Sequence, residues 1–263
     1  MRNNSAGNGC LSMIFTRILG FIFMIFGYAL IAGVIGLIGL IGDGIESITS
    51  TNNTVVEKKD PPPPPPSVIL SKNAYWNDNY GFSHSGTVRV KESDYYSSIR
   101  VRNSISIYNS SWYSMADRVI RNDKSKLNLL YAMLNRIKNQ NNYSRVRFAD
   151  IIISFVQDIP YALIDNSQDI YAPVEFLRKY KGDCDTRTIL LYIVLKHYNY
   201  DVVILNSWLY EHSIIGINLP TSGSMYKYYN GKRYYAWETT YPGWERGWLP
   251  SEMINMDLWS VNY

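Results

Sequence analysis

Residues 18–42 contain no charged side chain and are rich in Ile, Leu, Phe and Met. At a rise of about 1.5 Å per residue, a helix of this length can cross the roughly 30 Å hydrocarbon core of a bilayer. Arg2 and Arg17 precede the stretch, and acidic residues follow it. By the positive-inside rule, we expect a short cytoplasmic N-terminus over residues 1–17, a single-pass transmembrane helix over 18–42, and an extracytoplasmic remainder.

The length of this apolar stretch also bears on processing. A cleaved signal peptide is the alternative, but its apolar region would be shorter and would end at a small-residue, A-x-A-like site. No such cleavage site follows the apolar stretch. We therefore expect an uncleaved signal-anchor.

A linker is predicted over residues 43–67. It is polar at first and then contains six consecutive prolines, Pro61–Pro66. Consecutive prolines adopt an extended polyproline II helix of about 3.1 Å per residue. A ligand for a proline-binding domain is one alternative, but a spacer that holds a domain away from the bilayer is simpler.

The outer part of the chain is long enough for one domain with an apolar core, since 46% of all residues are apolar. We divide this outer part into an N-terminal helical part, residues 68–142, and a C-terminal core segment, residues 143–263. Residues 76–101 suggest short strands or irregular structure. The remaining predictions are helices at 112–121, 126–138, 148–158 and 184–197, and strands at 202–205, 212–219 and 233–238. Helices followed by strands predict an α+β fold.

Cys184 is the only cysteine after the apolar stretch, and it stands where the last predicted helix begins. Unpaired N–H groups and the macrodipole at a helix N-terminus favour a thiolate. An unpaired thiol in an oxidising compartment is a liability unless it is buried or used. A small buried hydrophobe is the ordinary alternative, so a chemical role depends on partners elsewhere in the chain.

Two later residues could be those partners. His212 lies in one apolar, strand-like segment, and Glu238 lies in another. A nucleophile, a base and an orienting acid, in that order, predict a cysteine-type acyl-transfer site. Alternatively, His212 is a hydrogen-bonded core residue and Glu238 is a surface strand residue.

A set of short segments occurs in a characteristic order and spacing. These segments are 155–161, 172–177, 182–185, His212, and 235–240 with Gly243 and Trp244. Together they resemble the transglutaminase-like superfamily of papain-like cysteine enzymes, especially its microbial branch, over roughly residues 143–250. The resemblance implies a nucleophile at the N-terminus of a helix that packs on an antiparallel sheet.

The resemblance also implies roles for individual residues. Cys184 would be the nucleophile, His212 the general base and acid, and Glu238 the group that orients the imidazole, where many members have Asp. Gln157 would be a candidate oxyanion donor beside the cysteine N–H. The implied function is a membrane-anchored cysteine enzyme that acts on amide bonds through a thioester, with peptidase or amidase hydrolysis favoured over cross-linking. A catalytically inactive, membrane-tethered binding module with the same fold is the alternative.

Other chemistry has less support in the sequence. The three histidines and two cysteines lack the spacing of a metal site. No glycine-rich phosphate loop follows a strand, and basic residues are not interleaved with aromatic ones as in single-strand binders. We therefore expect no cofactor, no metal and no nucleic-acid partner. The expected partners are the membrane, through the N-terminal helix, and a peptide, protein or cell-envelope amide substrate.

Overall fold

The computed structural model describes residues 67–106, 111–165 and 168–262. The predicted cytoplasmic segment, the predicted transmembrane helix and all but the last residue of the predicted linker lie outside these ranges. Among the described residues, no helix combines the length and the apolar character needed to cross a bilayer.

Helices and strands occupy separate blocks of the described chain. The helices are α1 (Glu92–Asn103), α2 (Trp112–Asp123), α3 (Asn128–Asn141), α4 (Arg145–Asp158), α5 (Pro173–Lys179) and α6 (Cys184–His197). The strands are β1 (Ile69–Asn77), β2 (Ser83–Lys91), β3 (Val202–Ser207), β4 (His212–Ile217), β5 (Tyr226–Tyr229), β6 (Lys232–Trp237) and β7 (Ser260–Asn262). Short 3-10 helices at Ser251–Met253 and Met256–Leu258 precede β7. The predicted α+β class is confirmed.

Strands β3 to β7 form an antiparallel sheet in the order β5-β6-β4-β3-β7. Ser207 pairs with His212 across the β3–β4 turn, and Ile215 pairs with Trp237 between β4 and β6. In an antiparallel pair, the beginning of one strand lies beside the end of the other. His212 and the segment that follows Trp237 therefore meet at one end of the sheet.

Alternation along the strands gives this sheet two buried faces. Val202 and Ile204 belong to the large apolar cluster shared with the helices, whereas Val203 and Leu205 pack with a second cluster that includes Trp259. Helix α6 contacts β3 and β4, while α4 contacts α6 and β1 and is buried along most of its length. The first turn of α6 thus lies inside the packed domain, beside the sheet.

Residues 69–91 form a β-hairpin, with Ala74 and Trp76 on β1 and Val88 and Val90 on β2 buried on the inner side. The alternation ends at Glu92, where α1 begins. Acidic side chains in a first helical turn stabilise the helix by interacting with its dipole. The expectation of strand or irregular structure as far as residue 101 is therefore wrong. The part predicted as helical, residues 68–142, consists of a hairpin followed by three helices among its described residues.

Candidate active site

Cys184 is the first residue of α6, as the sequence predicts, and only 7% of it is exposed. Asp183 caps this helix, since its carboxylate accepts a hydrogen bond from the Thr186 N–H at 3.0 Å. A Cβ atom on Gly182 would lie 2.9 Å from the ring of Phe176. Glycine therefore allows the loop before the nucleophile to approach α5 closely.

His212 and Glu238 form a hydrogen-bonded pair at the end of the sheet. His212 Nε2 lies 2.8 Å from Glu238 Oε2, and both side chains are almost completely buried. The other carboxylate oxygen, Oε1, accepts hydrogen bonds from the Thr239 N–H and from the Thr240 N–H and hydroxyl, at 2.7–2.8 Å. Glu238 is therefore fixed in place while it orients the imidazole.

The His212 ring also lies close enough to the Cys184 thiol for each group to shift the pKa of the other. Because Nε2 is engaged by Glu238, Nδ1 is the nitrogen available to the sulfur. The structure thus brings together all three predicted residues, which come from a helix N-terminus, the beginning of β4 and the segment after β6. The imidazole interacts with the sulfur through its charge and with the carboxylate through a hydrogen bond.

Burial and neighbouring charges have opposing effects on the pKa values of His212 and Cys184. Burial disfavours the imidazolium, but Glu238 and Cys184 outweigh it and hold the pKa of His212 well above its ordinary value. Burial raises the pKa of the Cys184 thiol; His212 opposes this effect and Asp185 adds to it. A thiolate on Cys184 and an imidazolium on His212 would stabilise each other beside Glu238.

Two further residues of α6 attach this helix to the neighbouring strand ends. The Ser213 hydroxyl donates to Asp185, and the Thr188 hydroxyl donates to the Ser213 carbonyl at 3.0 Å. The Thr188 hydroxyl also lies 3.4 Å from that of Thr239. These contacts fix the helix beside both His212 and Glu238.

The side-chain amide of Gln157, the candidate oxyanion donor, is engaged by two backbone carbonyls. Its side-chain nitrogen donates to the Glu238 carbonyl at 2.7 Å and to the Trp244 carbonyl at 3.2 Å. An amide NH₂ group has two hydrogens, and both are used here. No donor of this amide therefore remains for a substrate oxygen in this structure, and the oxyanion role of Gln157 stays a prediction. Gln157 instead holds the backbone that carries Glu238.

Several of these supporting residues were not identified from the sequence. Ser213 follows the predicted base, and Thr239 and Thr240 follow the predicted acid, so adjacency to those residues was the available signal.

Among the described residues, no group of three or more His, Cys, Asp or Glu side chains could hold a metal ion.

Comparison of the chain with protein-family models, with curated proteins and with solved structures finds no match.

Proposed function

We propose that this chain is a membrane-anchored, transglutaminase-like cysteine enzyme that acts on amide bonds through a thioester intermediate. The observation that carries the proposal is the buried His212–Glu238 hydrogen bond beside Cys184, whose thiol interacts electrostatically with His212. A thiol that lies beside an imidazole, with the imidazole oriented by a third group, is the arrangement expected of an activated nucleophile. The sequence resemblance supports the same roles.

The reaction follows from the positions of these groups. The Cys184 thiolate attacks the carbonyl carbon of the substrate, and His212 gives its proton to the leaving amine as the C–N bond breaks. A thioester and a free amine result. Water then attacks the thioester, His212 accepts the proton of this water, and the acid product leaves with Cys184 restored.

The tetrahedral intermediate needs hydrogen-bond donors for its oxyanion. Cys184 is the first residue of α6, and the N–H groups of a first helical turn have no acceptor within their helix. The Cys184 N–H is therefore the donor that we assign. The positive end of the α6 dipole adds to its effect.

We propose hydrolysis rather than cross-linking, because water is the default acceptor and no dedicated amine site was identified in the sequence. The proposed substrate is an amide in a peptide, a protein or the cell envelope. The N-terminal segment would keep the enzyme at the membrane, with the catalytic domain on the extracytoplasmic side.

An inactive, membrane-tethered binding module is the second candidate. The observation in its favour is the deep burial of the sulfur, since Cys184 is only 7% exposed and burial raises the pKa of its thiol. Such a thiol would pack as a small apolar group and would react slowly.

Alkylation by iodoacetamide separates the two candidates. In the full chain carrying Cys10→Ser, we expect Cys184 to react in the native state, Cys184→Ala to abolish labelling, and His212→Ala to lower the second-order rate by roughly 10²-fold. His197→Ala is the matched control, since His197 stacks on Tyr131 and lies at the other end of α6. Labelling that occurs only after unfolding would contradict the enzyme and favour the binding module.

A further inference from the structure

Arg187 is a fully buried cation on α6, one turn after the nucleophile, with 0% of its surface exposed. Its hydrogen-bond partners are backbone carbonyls. Nε donates to Gly182 at 3.1 Å, Nη1 donates to Val156 at 2.6 Å and reaches Thr239 at 3.5 Å, and Nη2 donates to Ile159. Among the described residues, Arg187 has no carboxylate within ion-pair distance.

The four carbonyls belong to three separate segments. Gly182 is in the loop that leads to the nucleophile, Val156 and Ile159 are at the C-terminal end of α4, and Thr239 directly follows the orienting acid. The C-terminal carbonyls of a helix carry its partial negative charge, so a cation is favoured there. A single side chain thus connects the nucleophile loop, α4 and the acid segment.

We propose that Arg187 is a positioning residue for the reaction proposed above, on which this inference rests. It holds the loop before Cys184 in register with the segment that carries Glu238. Gln157 provides a second connection from α4 to the same segment through its bond to the Glu238 carbonyl. Arg187 therefore determines the alignment of the sulfur, the imidazole and the carboxylate without touching the substrate.

The charge of Arg187 contributes as well. Burial lowers the pKa of its guanidinium to about 10, so the group remains protonated at neutral pH. Its charged form is favoured, in decreasing order, by electrostatic interactions with Tyr161, Asp183, Glu238 and Cys184. By reciprocity, the cation favours the thiolate form of Cys184.

Lysine cannot reproduce this geometry. An arginine presents five N–H donors in a rigid planar fork, whereas the lysine ammonium is a point charge with three donors. Arg187→Lys therefore keeps the charge but loses the connection between segments, and Arg187→Met loses both. Arg102 offers a matched control, since it is buried to a similar extent but binds Glu175 and Gln168.

The experiment uses the full chain with Cys10→Ser and measures the rate of Cys184 alkylation by iodoacetamide against pH, together with Tm. For Arg187→Lys we expect the rate to fall by roughly 10²-fold, as for a misplaced reacting group. The midpoint, meaning the pH at which the alkylation rate is half its maximum, should change little. For Arg187→Met we expect the same fall and a midpoint at higher pH. Arg102→Lys should lower Tm and leave both the rate and the midpoint unchanged.

The inference is overturned if the Arg187 variants only lower Tm, as is expected of Arg102→Lys, and keep the alkylation rate and midpoint of the parent chain. If Arg187→Met fails to fold, Arg187→Lys alone decides, since it retains the buried charge. Failure of the proposed function has a different signature: Cys184 of the parent chain would then be insensitive to His212→Ala.

Discussion

Glu238 determines which nitrogen of His212 carries a proton. Three donors from Thr239 and Thr240 converge on Oε1, while Oε2 faces His212 Nε2. In Glu238→Gln these donors would hold the amide oxygen in the Oε1 position, so the NH₂ group would face Nε2. Nε2 must then be an acceptor, and Nδ1 would carry the proton that it should take from Cys184. We expect the alkylation rate of Cys184 to fall on the order of 10²-fold or more.

The same variant should change how stability depends on pH. Burial opposes the charged carboxylate, but His212 outweighs it and lowers the pKa of Glu238 from 4.5 to about 2. That stabilisation is complete above pH 4.5 and is lost as the pH falls toward 2. The raised pKa of His212 stabilises the fold below pH 6.5, and this contribution is lost as the pH rises through the raised value.

Wild type and Glu238→Gln should therefore differ most in Tm between pH 4.5 and 6.5. Thermal unfolding across the acidic and alkaline ranges measures this difference. A Tm difference that is independent of pH would show that the ion pair does not contribute to stability.

The N-cap of α6 is a second group whose titration should be visible. Burial, and then the charge of Asp185, raises the pKa of Asp183 from 3.8 to about 7. The folded state thus binds a proton that the unfolded state releases, so stability falls as the pH rises from 3.8 to about 7. Asp183→Asn keeps a good N-cap acceptor and cannot ionise. We expect its Tm to exceed that of wild type above neutral pH, and the excess to shrink in acid.

The β3–β4 turn exposes two large apolar side chains beside the site. Trp208 is 92% exposed and Leu209 is 63% exposed, and the turn ends at His212. Apolar side chains at this position can hold the apolar part of a substrate. The prediction is that Trp208→Ala lowers the alkylation rate by an N-phenethyl haloacetamide more than the rate by iodoacetamide. Tyr75→Ala, at a 70% exposed residue of the hairpin, is the control. An equal decrease in the alkylation rates of both reagents would contradict substrate binding at this turn.

The elements of the domain differ in how far the sequence specified them. Helix α6 and strands β3, β4 and β6 were predicted because caps, periodicity and turn residues act locally along the chain. The placement of Cys184 at a helix N-terminus followed from the same local signals, and the structure confirms it. The catalytic roles of the three predicted residues stay predictions.

Contacts between distant segments could not be read from local patterns. Gln157 has its donors occupied by carbonyls 81 and 87 residues away, which periodicity does not reveal. The same is true of Arg187, because its position in the first turns of a predicted helix gave no sign of carbonyls from three segments. The hairpin at residues 69–91 was recognised only in part, since alternation suggested strands but did not define their pairing.

At the scale of the whole chain, the apolar stretch at residues 18–42 and the proline-containing linker predict a domain held outside the membrane. The described domain has its own core, with apolar clusters on both faces of the sheet. The core of the domain is thus formed by its own residues, and the side of the membrane on which the domain lies is a separate question from its activity.

Two thiols within one chain can report on both sides of the membrane. In Cys184→Ala, native Cys10 reports on the N-terminal segment, and Ser222→Cys, at an exposed loop position, reports on the domain. We expect a membrane-impermeant maleimide to label Ser222→Cys in intact cells and Cys10 only after permeabilisation. The chain should also remain with the membranes after an alkaline carbonate wash, since a transmembrane helix is not displaced by removing ionic contacts. Protection of Ser222→Cys until permeabilisation would place the domain on the cytoplasmic side, contrary to the positive-inside expectation.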